Sequence, residues 1–299
     1  MKKIYLCVFC FLEIFFCVDL FATESDVRNK DILIDKNRIS VQLFSVRKYG
    51  ESKESVDYML SRISKIGYPS VELAGFWGLS GKEWRELLDK YKLTVSAVHT
   101  NDFELSSEQK VQAVVDNLKQ IGSSRLVFAF SLTDFEDDAS RNRLVDKLIN
   151  MKNRFERDGV ELFYHNHHFE FVKTEQGEDA YLKLLGKIGM RAELDVYWVA
   201  RAGKDPVSLI DKLGDKLVFL HLKDIGVGRP LRPGDPFSRS FVFKELGSGN
   251  LELGKIVSSA SKNGCSWYVV EQDDDWANDE PLDSLKMSFD YLIENYAKN

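Results

Sequence analysis

The sequence predicts an α/β fold in which eight β/α units close on themselves as a single (β/α)8 barrel, and three observations lead there. Short runs rich in β-branched and aromatic residues recur eight times. Between them lie longer polar stretches with helical apolar spacing. The interval from one run to the next clusters at roughly thirty residues, which suits a strand followed by a right-handed crossover helix.

In chain order the runs are Ile39–Val46, Ser70–Leu73, Leu93–His99, Arg125–Phe130, Val160–His165, Arg191–Val196, Leu217–Leu222 and Trp267–Glu271. The stretch after the first carries Val56, Met59, Leu60, Ile63 and Ile66 on one helical face; the stretch after the third carries Val111, Val114, Val115, Leu118 and Ile121. Ile66-Gly67, Ile121-Gly122, Asp158-Gly159 and Asn263-Gly264 place a helix stop just before the next strand. Only the interval between the seventh and eighth runs is long, roughly fifty residues, and its loop holds Arg229, Arg232 and Arg239 among glycines and prolines. Arginines near that position form a phosphate clamp in some barrels, although loop solubility or a partner contact explains them more simply here. An open doubly wound sheet is the structural competitor. It brings a glycine-rich phosphate turn after its first strand, and Gln42-Leu43-Phe44-Ser45-Val46-Arg47 contains no glycine.

The chain of 299 residues, 44% hydrophobic and 29% charged, is long enough for a full barrel core. Lys2 and Lys3 precede an apolar stretch from Ile4 to Leu20, with Ala22 at a cleavage point. Residues 1–22 therefore read as a signal peptide, 23–38 as an N-terminal linker and 39–299 as the barrel domain. Glu13, Asp19 and the shortness of the stretch argue against a stable membrane span, and bulky Phe16 argues against lipid attachment at Cys17. The expected location is the periplasm, or secretion by another route. Cys7, Cys10 and Cys17 lie in the leader, which leaves Cys265 alone and excludes a disulfide framework. A net charge of −6 argues against nucleic acid or an anionic membrane as partner. A homodimer stays open.

A barrel builds its active site at the carboxyl ends of its strands. Reading the last four runs to their ends gives Tyr164-His165-Asn166-His167-His168-Phe169-Glu170, Leu194-Asp195-Val196-Tyr197-Trp198, His221-Leu222-Lys223-Asp224 and Val270-Glu271-Gln272-Asp273. His99 ends the third run on the same rim. Imidazole nitrogens and carboxylate oxygens converging from separate rigid elements are what a divalent metal requires.

These pieces carry a resemblance. Val41-Gln42-Leu43-Phe44-Ser45-Val46-Arg47, Val71-Glu72-Leu73-Ala74-Gly75-Phe76-Trp77-Gly78, Tyr164-His165-Asn166-His167, Leu194-Asp195-Val196-Tyr197-Trp198-Val199, His221-Leu222-Lys223-Asp224, Glu245-Leu246-Gly247-Ser248-Gly249 and Val270-Glu271-Gln272 resemble, in order and spacing, the xylose isomerase-like TIM-barrel family, often called sugar phosphate isomerases/epimerases. The resemblance implies one divalent metal (Mn, Co, Mg or Zn), with ligands at Asp195, His221 and Glu271. Many members place a glutamate on strand five. Here His165 takes that place and Glu170 is the nearest glutamate; either supplies the fourth ligand, with Glu170 preferred. The departure matches the subgroup resembling inosose dehydratases and keto-sugar lyases.

The implied chemistry removes a proton next to a carbonyl, with the metal as Lewis acid and Glu271, His165 or His167 as base. Lys223 is expected to donate to a substrate oxygen and Asp224 to orient His221, a solvated pair being the alternative. Glu72, His99, Trp198 and Glu245 are expected to contact substrate, Glu72 having a buried ion pair as its alternative. Phe76 and Trp77 join Trp198 as wall candidates or core, and Asp273-Asp274-Asp275 reads as a solvated loop, with Asp273 close to the expected metal. The expected function is an isomerase or epimerase acting on a non-phosphorylated sugar or keto-sugar. The alternative is a lyase of the same fold, dehydrating a keto-sugar or cleaving a 3-keto-glycoside. A nuclease with this barrel needs a basic groove that the composition denies. A non-catalytic sugar-binding protein is the remaining class.

Overall fold

A computed structural model describes residues 34–131, 135, 137–235 and 238–297. Eight parallel strands close a barrel: β1 (Ile39–Gln42), β2 (Ser70–Leu73), β3 (Thr94–Asn101), β4 (Arg125–Phe130), β5 (Glu161–His165), β6 (Arg191–Asp195), β7 (Leu217–Leu222) and β10 (Trp267–Val270). Closure is direct, because Val41 of β1 is in register with Val71 on one side and Val270 on the other. The eighth unit is delayed by an antiparallel hairpin, β8 (Asp224–Pro230) and β9 (Arg239–Lys244), where the sequence suggested only a loop. The β-branched and aromatic run Phe241-Val242-Phe243, bounded by polar residues, is the local signal for it. Arg239 donates to the Gly228 carbonyl within this hairpin, and Arg232 pairs with Asp235, so both serve the excursion itself.

The helices form where the sequence places them. In α1 (Lys53–Ile66), Ser52 caps the start, Val56, Met59, Leu60 and Ile63 face the core, and Gly67 ends the helix at φ +115°. In α2 (Gly81–Tyr91) a Ser80/Glu83 capping box does the same work. A β-carbon on Gly81 would lie 2.3 Å from the Asn117 carbonyl of α3 (Glu108–Ile121), so these two helices pack as closely as they do because that residue is glycine.

Two expectations shift at the start of the barrel. The first run stops as a strand at Gln42, because the Gln42 side chain accepts the Phe44 N–H and turns residues 43–49 into 3-10 geometry. Ile34, inside the stretch read as linker, is buried, and its N–H donates to the Tyr296 carbonyl at 2.7 Å. The compact unit therefore begins before β1. Residues 1–33, including the expected leader, lie outside the described residues.

Side chains two apart on a strand share a face. Phe163, Phe219 and Val269 thus sit one level below His165, His221 and Glu271. With Ala97, Val127, Val218 and Trp267 the lower members make a buried apolar cluster separate from the main one between barrel and helices. The barrel interior changes from apolar to ionisable within a single level, and that level supports the site.

A candidate active site of two stacked polar levels

The deeper level is a closed knot of histidines and carboxylates. Glu193 Oε1 lies 2.6 Å from His99 Nε2, 3.0 Å from His221 Nε2 and 3.1 Å from His165 Nδ1. Glu72 Oε2 lies 2.7 Å from His221 Nε2 and 3.2 Å from His99 Nε2, and accepts from Gln42 Nε2 at 3.0 Å. Strands β1, β2, β3, β5, β6 and β7 each supply one of these side chains at a carboxyl end. Glu72, Glu193 and His221 are fully buried. Burial opposes charge on His99, but Glu193 and Glu72 outweigh it and push its pKa up to about 10. Burial and then Glu72 raise the Glu193 carboxyl, and His221 and His99 more than reverse this, holding it at about 2. His165 goes the other way: burial dominates and keeps the ring neutral.

The upper level centres on an ammonium. Lys223 is 1% exposed, and its Nζ lies 2.8 Å from Glu271 Oε2, 3.0 Å from Asp273 Oδ2 and 3.1 Å from Asp195 Oδ2. Three donors meet three carboxylates, so burial, which would discharge the lysine, is overridden and its pKa stands well above the usual value. His221 joins the two levels: Nε2 faces down to Glu72 and Glu193, while Nδ1 faces Glu271 Oε2 at 2.9 Å. Asp195, at the end of β6, caps the short helix Val196–Arg201 through the Trp198 N–H and is held by a two-way hydrogen bond between its backbone and Asn166.

Above both levels opens a cavity of about 330 Å³. Phe44, Phe130 and Trp198 form its apolar wall; His99, His165, His167, Lys223, Glu271 and Asp273 reach it from the polar side. The His167 ring lies 5.4 Å from that of Trp198, its Nδ1 is buried without a hydrogen-bond partner, and burial followed by Lys223 lowers its pKa to about 3. It is therefore a neutral imidazole throughout the ordinary pH range.

Most of the residues expected at the site do converge: His99, His165, His167, Asp195, Trp198, His221, Lys223 and Glu271 line the cavity or the polar levels beneath it. Glu72 takes the buried role that was its alternative. Three assignments are corrected. Glu170 is turned away from the ligand cluster: Oε1 accepts from Tyr164 O–H at 3.1 Å and Oε2 from the His167 N–H at 2.9 Å, so it shapes the turn after β5. Glu245 is spent on Ser284 Oγ, Gln272 Nε2 and the Ala277 N–H, and does not line the cavity. Asp224 does not orient His221. Its two oxygens accept the backbone N–H groups of Ile225, Gly247, Gly249 and Leu251. Phe76 and Trp77 pack near Trp84 instead of facing the cavity.

Gln42 and Glu193 were missed, and Asp273 was expected close to the metal but within a loop read as solvated. Glu193 precedes Asp195 by two residues and so shares its face, a signal that alternation alone provides. Asp273 follows Glu271 by two for the same reason; its acidic neighbours made it read as solvent-exposed, whereas Asp275 binds the Phe243 N–H and pins the hairpin over the site.

Comparison with known proteins agrees with this architecture. Residues 60–294 match the model of the family described as xylose isomerase-like TIM barrel. The rhizopine catabolism protein MocC of Rhizobium meliloti is 25% identical over 263 residues, covering 79% of this chain and 80% of that protein. Inosose dehydratase of Mesomycoplasma hyopneumoniae strain 7448 is 24% identical over 266 residues, covering 80% and 88%. Among solved structures, a sugar phosphate isomerase/epimerase from Parabacteroides distasonis superimposes with a TM-score of 0.70 at 20% identity, covering 86% of this chain and 94% of that one. With the family model spanning most of the barrel and the strand-end residues in place, the chain belongs to the xylose isomerase-like TIM barrel family.

Proposed function

We propose that this chain is an enzyme that removes a proton next to the carbonyl of a non-phosphorylated keto-sugar and lets a β-substituent leave. The observation that carries the reading is His167: an unprotonated imidazole with an unpaired nitrogen in a cavity walled by Phe130 and Trp198. A neutral base in a largely apolar enclosure takes a carbon-bound proton without competition from water. Lys223 and Asp273 stand opposite as a proton-bearing pair able to meet the departing oxygen. Elimination is put ahead of isomerisation because the curated relatives include inosose dehydratases. Isomerisation or epimerisation is the second reading, supported by the solved isomerase/epimerase of the same fold. Both share the first step.

The donors also fit a divalent cation. Asp195, His221 and Glu271 offer buried ligand atoms within 4.8 Å of one another, and Asp195 Oδ2 has no hydrogen-bond donor of good geometry. When bound, such an ion supplies Lewis-acid polarisation of the substrate carbonyl. Export through residues 1–22 belongs to the same proposal, and the mass of the protein in fractionated cells tests it.

The test of the reaction is solvent exchange. Incubation in D2O with inososes, 3-keto-glycosides and free ketoses should give deuterium at the carbon next to the carbonyl and, for the keto-sugars, an unsaturated ketone. His167→Gln should slow exchange by about 10²–10⁴-fold. No exchange with any of these substrates, or exchange indifferent to His167→Gln, would overturn the assignment.

A further inference from the structure

We infer that the deeper level is a cation site in its own right, built from His99 Nε2, His165 Nδ1, His221 Nε2 and Glu193 Oε1, and selective for an imidazole-preferring transition ion. The inference does not rest on the reaction proposed above. It shares only His221 with the upper donors, and by the opposite ring nitrogen.

Three features carry it. First, three ring nitrogens from β3, β5 and β7 converge on one atom, Glu193 Oε1, at 2.6, 3.0 and 3.1 Å, and all four ligand atoms lie within 4.8 Å of one another. A tetrahedral ion with bonds near 2.0–2.1 Å needs ligand atoms roughly 3.3 Å apart, a spacing that the separations here, from 2.6 Å to at most 4.8 Å, bracket. Second, the hydrogens do not go round. His99 Nε2 and His221 Nε2 carry at most one hydrogen each, yet each faces carboxylate oxygens of both Glu72 and Glu193. Glu72 Oε1 and Glu193 Oε2 are meanwhile buried with no hydrogen-bond partner at all. Unused lone pairs in a sealed space suit a cation better than a hydrogen-bond network. Third, the two buried carboxylates need two positive charges beside them, which either protons on His99 and His221 or one divalent ion can supply.

The surroundings are those of an outer shell. Metal-bound histidines hand their other ring N–H to a carboxylate, and His221 Nδ1 faces Glu271 Oε2 at 2.9 Å. Gln42 holds Glu72 beside the quartet. Lys223 already sits against Asp195 and Glu271, so the upper carboxylates have an ammonium beside them, whereas the deeper ones face only imidazoles, whose charge depends on bound protons. Three nitrogens to one oxygen favour Zn²⁺, Co²⁺ or Fe²⁺ over Mg²⁺.

The experiment loads the full-length mature protein with Co²⁺ and reads metal content by mass spectrometry, together with the visible Co²⁺ spectrum. Wild type should retain one equivalent after dialysis, with an absorption typical of low-coordinate cobalt, and Mg²⁺ in tenfold excess should not displace it. His99→Ala, His165→Ala and Glu193→Gln should each weaken retention at least tenfold and change the spectrum. Glu271→Gln, which removes the outer-shell acceptor of His221 Nδ1, should weaken retention less than any of these three, and Asp195→Asn should leave the equivalent bound. Circular dichroism identifies a variant that fails to fold; the His165→Gln and Glu193→Gln pair, which keep volume, then decide. Full retention in both, or loss in Glu271→Gln and Asp195→Asn alone, overturns the deeper site in favour of the upper one. No retention by wild type overturns it outright, whereas exchange chemistry in D2O is scored separately and stands or falls without it.

Discussion

Replacing Asp224 by alanine should cost the fold more than it costs the chemistry. The Asp224 side chain is fully buried and accepts four backbone N–H groups at 2.8–3.1 Å, those of Ile225, Gly247, Gly249 and Leu251. Burial raises its pKa and the four N–H groups pull against that rise, so the carboxylate is partly compensated for leaving water. Alanine strands the donors. Those of Ile225 and Leu251 are the least accessible to water, and each buried unsatisfied group costs about 1–3 kcal/mol. Gly247 and Gly249 recover part of their loss by hydration. The net is about 3–5 kcal/mol, which for a domain of this size lowers the melting temperature by roughly 10 °C. Thermal unfolding by circular dichroism measures it, and hydrogen exchange should show faster exchange confined to residues 224–226 and 245–251. A melting temperature within about 2 °C of wild type, combined with weakened cation binding, would refute the reasoning and restore Asp224 as the partner that orients His221.

Other perturbations follow from the same geometry. Gly249→Ala places a β-carbon 2.3 Å from Asp224 Oδ1 and 2.6 Å from the Ile225 carbonyl, and should destabilise by about 2–4 kcal/mol, read as a lower denaturation midpoint at unchanged slope. Glu170, whose carboxyl burial pushes from 4.5 up to about 8, binds its proton more tightly folded than unfolded. Its contribution is therefore complete below about pH 4.5 and is lost as pH rises toward 8, on the order of 4 kcal/mol in all. Glu170→Gln should flatten the dependence of melting temperature on pH across that window; an unchanged slope would count against a protonated Glu170. Trp198 presents a buried Nε1 with no partner, so Trp198→Phe keeps the wall but removes a donor, and should raise KM about tenfold while changing kcat little. Equal loss in both constants would show that the ring positions the reacting atoms instead.

How much of this was legible in the sequence depends on which force set each feature. Strand and helix positions were, because alternation and helical spacing are local: Ser70–Leu73, Arg125–Phe130 and Leu217–Leu222 fall where they were placed. So was the convergence of His99, Asp195, His221 and Glu271, since a barrel carries all its strand ends to one rim. What could not be read was the destination of each carboxylate. Glu170, Glu245 and Asp224 lie beside the right residues in the chain, and each is captured by backbone N–H or hydroxyl groups that come near only on folding, up to 39 positions away in the case of Ser284. Glu193 was overlooked for the converse reason: between Ala192 and Leu194 it looked like one more strand position, although alternation puts it on the face of Asp195 and a closed barrel leaves that face no solvent. The hairpin β8–β9 was hidden by the prolines and glycines around it.

The electrostatics of the two levels bear on what the cavity accepts. Glu72, Glu193, Asp195, Glu271 and Asp273 bring five carboxylates beneath it, and Lys223 is the one permanently charged cation among them. Its ammonium is already divided among three of these groups, so among the described residues no unpaired lysine or arginine faces the cavity. Protons on histidines, or a divalent ion, make up the balance, and either leaves the pocket neutral at best. A sugar phosphate would bring up to two negative charges against a lining that offers them no arginine and no uncommitted lysine; repulsion in a poorly hydrated cavity costs several kcal/mol. A neutral polyol or keto-sugar meets no such penalty. Asn101, Glu104 and His167 along the rim would be available to its hydroxyls, and Phe44, Phe130 and Trp198 to its carbon faces. The same charge surplus that makes the floor a candidate for a cation thus supports the neutral substrate class proposed above, so a wild-type protein that bound a sugar phosphate as well as the free sugar would contradict both readings at once.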